Sequence, residues 1–216
     1  MTVETTSART RRMPEKRRAI VRAARAVFGR EGFTGASVDV IAAEGEVSKR
    51  TVYNHFTDKE SLFQAVVLEG AREVARSQAV LADRHLHKIV DLEQDLVAFS
   101  LDRVATLEEF ADHWALVRVI EAEAARIRPV LLEEWQQAGP WATIAELTRW
   151  ISELADRGHL ATDDPARAAN HLNLLTFIAV AQPTFYGALP MSRRQVTTVV
   201  AEGVETFLHS YAAPAG

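Results

Sequence analysis

The stretch SVDVIAAEGEVSKRTVYNHFTDKESLF, residues 37–63, gathers side chains suited to reading the edges and phosphates of a nucleic-acid duplex. Lys49 and Arg50 offer donors that fit guanine O6 and N7 or a phosphate oxygen, and Thr51 can meet a base edge or a thymine methyl. Tyr53 and His55 are side-chain donors that can reach phosphate without a large desolvation cost. Ser37 and Lys59 stand at expected helix N-termini, where backbone N–H groups favour anions. The elements that must position these residues follow from capping and spacing. Ser37 and Ser48 are good N-caps, and the apolar residues behind them predict two short helices, over 38–44 and 48–54. Each is too short to fold alone. A third helix over about 15–30 supplies a surface, since Ile20, Ala23, Ala24, Val27 and Phe28 follow the i, i+3, i+4, i+7, i+8 spacing. Such a trio is the geometry of a helix-turn-helix, whose second helix enters the DNA major groove.

IVRAARAVFGREGFTGASV followed by IAAEGEVSKRTVYNHFTDKESLF resembles the N-terminal domain of the TetR family of transcriptional regulators, continuously over about residues 15–63. The resemblance implies that Ser48, Lys49, Arg50, Thr51, Tyr53, Asn54 and His55 form the recognition segment and that Lys59 contacts phosphate. It also implies an all-α homodimer on a palindromic operator, with a small molecule in the C-terminal domain changing the spacing of two DNA-reading heads. Family members carry Ala-Gly-Val-Ser in the turn, whereas this chain has Gly45-Glu46-Val47-Ser48. Either the turn is rearranged around Gly45, or Glu46 takes the left-handed conformation at a cost of about 1 kcal/mol. The run from 118 to 168 resembles the AefR-like branch and names no ligand.

Charge agrees with a small basic module on a larger acidic body. Residues 1–56 carry eleven Lys+Arg against six acids, a formal +5 within a chain whose total is −4. The polar segment 1–13 is expected to be a mobile arm. Its Arg9, Arg11 and Arg12 are either a solubilising tail or a minor-groove and phosphate contact. Pro14 would open the first helix. The expected organisation is a flexible basic arm over 1–13, a helix-turn-helix domain over 14–58 and an effector-binding and dimerisation domain over 59–216. Zero cysteines exclude disulfides, iron–sulfur clusters, thiolate zinc sites and cysteine nucleophiles. No apolar run approaches a membrane span and no export signal core opens the chain, so a cytoplasmic protein without membrane association is expected. No G-x-S-x-G, P-loop or G-x-G-x-x-G occurs, so neither an enzyme nor a cofactor has a motif behind it.

Beyond residue 82 the strong patterns all keep helical period, near 88–108, 110–127, 129–138, 140–157, 165–186 and 192–211, with no alternating strand. The fold class is therefore all-α, with about nine to ten helices. All four tryptophans lie between residues 114 and 150, which in a helical body invites an apolar cavity. Phe110, Trp114 and Trp150 are the expected walls, with Arg118 and Glu121 as polar anchors. Leu172, Leu175 and Ile178, with Val196, Val200, Val204 and Phe207, form stripes expected to pair two copies through a two-fold interface. The function expected is a ligand-responsive repressor released by a small apolar or aromatic molecule. Two other readings remain at this stage. One is an interaction protein that kept the fold and lost DNA binding; the other is a helical metal-dependent enzyme using His85, His87 or His113. Against metal binding, His85 and His87 are two apart and point to different helix faces.

Overall fold

Six helices start on a side-chain oxygen that accepts a backbone N–H of the first turn: Ser37, Ser48, Asp58, Asp91, Asp164 and Ser192. Such a cap stabilises a helix by about 1 kcal/mol and fixes where the chain turns into it. Asp58 and Ser192 form full capping boxes, with Ser61 and Gln195 reaching back. The computed structural model describes residues 4–214, with side chains from Glu15 onward. Its helices are α1 (Glu4–Gly35), α2 (Val38–Glu44), α3 (Lys49–His55), α4 (Lys59–Leu86), α5 (Leu92–Glu109) and α6 (Ala111–Glu123). They continue as α7 (Pro129–Ala138), α8 (Pro140–Asp156), α9 (Pro165–Asn173), α10 (Ala179–Ala181) and α11 (Arg193–Tyr211). An isolated bridge between Leu160 and Ala212 is the only β pairing among the described residues, so the all-α expectation holds.

Three of the expectations differ from what is observed. The arm expected over 1–13 is helical in backbone from Glu4 onward, so Pro14 does not open α1. A polar helix with no apolar stripe leaves no periodic signal, which is why spacing missed it. Residues 1–3 and the side chains of the Arg9–Arg12 cluster lie outside the described residues. Gly32, at φ 74, ends the regular part of α1 as expected. Second, the long helix expected over 165–186 is broken: Leu174–Ile178 is π-helical, and the run ends at Ala181. The Thr176 hydroxyl donates to the Leu172 carbonyl at 2.7 Å inside that stretch, competing with the ladder. Phe185, Tyr186 and Gly187 then take positive φ in succession, turning the chain back.

The third difference concerns the apolar stripes expected to pair two copies. Leu172, Val200, Val204 and Phe207 are fully enclosed by their own chain, in the core that α9 and α11 share with α4, α5 and α8. Leu175, Ile178 and Val196 are half-buried. A helix that lies on several neighbours needs apolar residues on more than one side, so a wide stripe does not tell an intramolecular core from an interface.

The reading module shares its core with the rest of the molecule. Ile20, Val27 and Phe28 of α1 meet Ile41 of α2, Val52 of α3 and Leu62 and Phe63 of α4. Leu116 and Ile120 of α6 and Leu131 of α7 belong to the same cluster. Phe28 packs edge-on against Phe63 with ring centres 5.0 Å apart. Burying each such side chain contributes about 1.5–3 kcal/mol, so the position of α6 and the order of the N-terminal helices depend on one another. Among the described residues, no helix is long and apolar enough to cross a membrane.

Candidate nucleic-acid interface and internal cavity

On α3, only Val52 is buried, at 1% exposure, and it pins the helix to the core. Lys49, Arg50, Tyr53 and Asn54 are exposed, and Thr51 and His55 are half-buried. The Ser48 hydroxyl accepts the Thr51 N–H at 3.1 Å and shares a hydrogen bond with the Thr51 hydroxyl at 2.8 Å. Both hydroxyls are thus engaged in holding the start of α3. Lys49 donates to Asp39 of α2 at 2.9 Å, and that carboxylate holds the ammonium above its ordinary pKa. Arg50 makes no ion pair among the described residues, which leaves its guanidinium presented to solvent.

The turn between α2 and α3 decides between the two readings of Gly45-Glu46. Glu46 takes φ 51 and bears the left-handed conformation, while Gly45 is at φ −81. Gly45 has a different reason to be glycine. A Cβ there would sit 3.1 Å from the Ile41 carbonyl oxygen and 3.5 Å from Ala23 Cβ, so its absence lets the end of α2 lie on α1.

Lys59 does not stand free at the start of α4. Its ammonium donates to the carbonyls of Phe33 at 2.8 Å and Ala36 at 3.1 Å, and it lies 4.8 Å from the centre of the Phe33 ring. From the other side, the Glu123 carboxylate at the end of α6 accepts the Phe33 N–H at 3.0 Å and the Thr34 hydroxyl at 2.6 Å. The end of α1 beyond the Gly32 kink, with Ala36, is therefore gripped between α4 and α6. Ser37, directly after it, accepts the Asp39 N–H at 3.2 Å. Glu123 had no signal in the sequence, because its partners are backbone and hydroxyl groups about ninety residues away.

A cavity of about 220 Å³ opens between α4, α5, α6, the α7–α8 junction and the π-helical stretch. Val74, Val117, Phe177 and Ile178 supply apolar wall, and Trp114 stacks on Tyr186 with ring centres 5.7 Å apart at 6°. Of the five residues expected around a ligand, Trp114 lines this cavity and the other four do not. Phe110 is a packing residue at the α5–α6 junction. Trp150 is buried in the cluster with Leu86 and Phe99, donates to Glu146 at 3.0 Å and carries Arg149 on its ring. Arg118 donates to the carbonyls of Phe185 and Tyr186 at 3.3 and 3.1 Å, and Glu121 accepts the Tyr186 hydroxyl at 2.5 Å. That pair fixes the turn after α10 and lines a separate, more open pocket with Ile178, Phe185 and Tyr186. Tryptophans close in sequence were expected to meet in space, yet α6 and α8 direct them into different clusters.

The polar lining of the cavity includes Gln78, Arg103, Thr143 and Asn173, which were not among the expected site residues, together with His113, expected only as a candidate metal ligand, and Trp135, one of the clustered tryptophans. One signal was present. Arg103 interrupts the buried stripe Leu96, Phe99, Ser100, Val104, Leu107 of α5, where a charge has no business unless something needs it. His113 is 5% exposed and edge-on to Trp114 at 5.2 Å. Burial, aided by the charge of Arg25, pushes its pKa down to about 4, so the ring is neutral at pH 7. His85, the strongest candidate metal ligand by sequence, instead hydrogen-bonds Asp102 at 2.8 Å. Among the described residues no group of three His, Asp or Glu could hold a metal ion.

Comparison with known proteins agrees with this geometry. Residues 20–66 match the family model of bacterial regulatory proteins of the tetR family, and residues 95–213 match that of the C-terminal domain of AefR-like transcriptional repressors. A crystal structure of a TetR-family transcriptional regulator from Mesorhizobium loti superimposes with a TM-score of 0.85 at 31% identity, covering 94% of this chain and 99% of that one. The flavonoid-responsive regulator FrrA gives a TM-score of 0.68 at 27% identity over 93% and 98% of the two chains. Among curated relatives, the HTH-type transcriptional regulator UidR of Escherichia coli is 37% identical over 67 residues, 31% of this chain. The chain spans 34% of the length of UidR. The HTH-type transcriptional repressor AcnR of Corynebacterium glutamicum is 28% identical over 149 residues, 69% of this chain and 71% of that one.

Proposed function

The chain belongs to the TetR family of transcriptional regulators, with an AefR-like C-terminal domain, and on that premise we propose that it is a dimeric, sequence-specific DNA-binding repressor released by a small molecule. The observation that carries this reading is the double engagement of α6. His113, Trp114 and Val117 on this helix line the cavity, and Glu123 at its end grips the last residues of α1, just ahead of the helix-turn-helix. A molecule that enters the cavity and shifts α6 must move that segment or give up its hydrogen bonds. Coupling of this kind typically amounts to about 1–3 kcal/mol, enough to weaken DNA binding five- to a hundred-fold.

Several features support the rest of the reading. The exposed row Lys49, Arg50, Tyr53 and Asn54 suits the major groove, with Thr51 and His55 beside it and Ser48 capping the helix. Ser37 and Lys59 act on this reading by fixing the approach of α2 and the segment ahead of it. A second copy provides a second head for a palindromic site. Apolar surface is left by a single chain on either side of α10, where Leu174, Phe185 and Leu189 are 53%, 61% and 52% exposed and Ile178 is half-buried. FrrA is named as flavonoid-responsive and AcnR as a repressor, which favours small-molecule control and repression here.

The test is a salt titration of binding to the DNA upstream of the protein's own gene. A specific complex should weaken steeply with salt, with a slope matching roughly 6–10 phosphate contacts, and Arg50→Ala should cost at least about tenfold while the dimer persists. Binding that is weak and indifferent to sequence on every promoter tried, with an intact dimer, would leave an interaction protein that has lost DNA recognition.

A further inference from the structure

Arg103 is 2% exposed, and among the described residues no carboxylate lies within ion-pair distance of it. Its Nε donates to the Gln78 side-chain carbonyl at 2.6 Å, and Nη2 donates to that of Asn173 at 2.7 Å. The rings of Phe99 and Phe177 lie 5.5 and 5.1 Å from the guanidinium carbon. Nη1 has no partner at all. Burial lowers the pKa only to about 10, so the group stays charged at neutral pH. A buried cation without a counter-ion is among the most unfavourable features a core can carry, and the usual remedies are pairing or neutralisation. Among the described residues, neither is present.

The surroundings specify what would complete the site. Gln78 and Asn173 have already turned their acceptor oxygens to Arg103, so those acceptors are used. The other unpartnered buried side-chain nitrogens among the cavity-lining residues are Trp135 Nε1, a donor, and His113 Nδ1, which donates when the neutral ring carries its proton there. What the cavity offers a visitor is therefore one positive charge, N–H donors and aromatic walls. A single guanidinium balances a single negative charge, and its fork fits two oxygens on one carbon.

We propose that the effector is a monoanionic carboxylic acid with an aromatic or other apolar body of roughly ten non-hydrogen atoms, the size that fills this cavity at protein-like density, its carboxylate seated on Arg103. This inference rests on the reading of the cavity as the effector site. The competing arrangement is a single buried water on Nη1, in the small recess of about 10 Å³ beside Gln78, Phe99 and Glu146.

The experiment is calorimetric titration of the full-length protein with trans-cinnamate, indole-3-acetate and 2-naphthoate, each beside its uncharged amide. At least one acid should bind about 10- to 100-fold tighter than its amide, the contribution of one charged hydrogen-bonding contact. Arg103→Met, checked for native circular dichroism, should reduce that preference to within threefold, and Arg103→Lys should keep part of it. Acids that bind no better than amides, no acid binding at millimolar concentration, or a preference that survives Arg103→Met would each overturn the inference, the last by placing only water on Nη1. Operator release separates the two readings. If amides bind and release DNA, effector control stands and the carboxylate inference falls. If acids bind through Arg103 and leave the operator complex intact, the carboxylate site stands and effector control falls.

Discussion

The reading helices and the cavity solve opposite problems. Around α3 the polar groups that matter are outside, and the buried position, Val52, is apolar. The cap hydroxyls of Ser48 and Thr51 satisfy one another and the backbone. Around the cavity the polar groups that matter are inside, and several of their atoms have no partner: Arg103 Nη1, His113 Nδ1 and Trp135 Nε1. A surface that recognises DNA can be stable alone because water satisfies it until DNA arrives. A buried site has no such recourse, and on the proposed reading the effector supplies the missing partners. The two regions are nonetheless one packed body, joined through α1, α4 and α6.

That joining gives the largest expected effect. Phe28→Ala removes a fully buried ring of α1 that touches Phe63, and it should cost about 3–5 kcal/mol. All four tryptophans lie in residues 114–150; Trp135 also packs against the core shared with the N-terminal helices, while Trp114 and Trp150 lie in the two clusters of the C-terminal body. With a shared core, urea unfolding followed by tryptophan fluorescence and by circular dichroism should shift together in the variant. An early circular-dichroism phase with unchanged fluorescence would show that the head folds separately and that α6 transmits nothing.

The same contrast explains which parts of the molecule were legible in the sequence. Caps and periodicity placed α2 and α3 to within a residue, because Ser37 and Ser48 act on their own immediate backbone. The turn conformation at Glu46 narrowed to two alternatives through the comparison with the Ala-Gly-Val-Ser turn of the family. The cavity was not legible. Arg103, Gln78 and Asn173 lie on three different helices, and nothing in the spacing of one helix reports which neighbour it faces. The stripe containing Val200, Val204 and Phe207 announced burial correctly and its covering wrongly. The π-helical stretch at Leu174–Ile178 keeps an apolar pattern that an ordinary helix would also show.

His113 offers a way to sharpen the contrast by pH. Its pKa is about 6.5 when unfolded and about 4 in the folded chain. Between those values the unfolded chain holds a proton that the folded chain does not, so stability falls as the pH drops below 6.5 and the loss is complete below 4. Between pH 7.5 and pH 5 this one group should cost about 2 kcal/mol. Denaturant midpoints at the two pH values should show that loss in the native protein and a smaller one in His113→Gln. Equal losses in both would assign the acid sensitivity elsewhere and return His113 to an ordinary exposed-like histidine.

The turn before α3 carries a smaller effect on the other side of the comparison. Glu46→Gly removes a Cβ from a left-handed residue and should raise stability by about 0.5–1 kcal/mol, the strain less the added freedom of the unfolded chain. If Glu46 already holds the turn in working geometry, operator affinity should stay within about twofold, since a free-energy change confined to the folded frame does not alter binding. A large gain in affinity would instead mean that Glu46 misplaces Lys49 and Arg50.

The smallest effect belongs to the ion pair between Lys49 and Asp39. Both side chains are more than half exposed, at 51% and 66%, so the pair contributes little to stability. It occupies the ammonium that, on the proposed reading, a phosphate or guanine would take. Asp39→Asn keeps the side-chain shape, frees Lys49 and removes a negative charge from the reading face. Operator affinity should rise about two- to fivefold at low salt, with the gain fading as salt screens the charge, while thermal stability stays within about 0.5 kcal/mol of the parent. An affinity loss would show that Asp39 orients Lys49 for a base edge. The pair would then belong to the recognition geometry, and the exposed face would be as preorganised as the buried one.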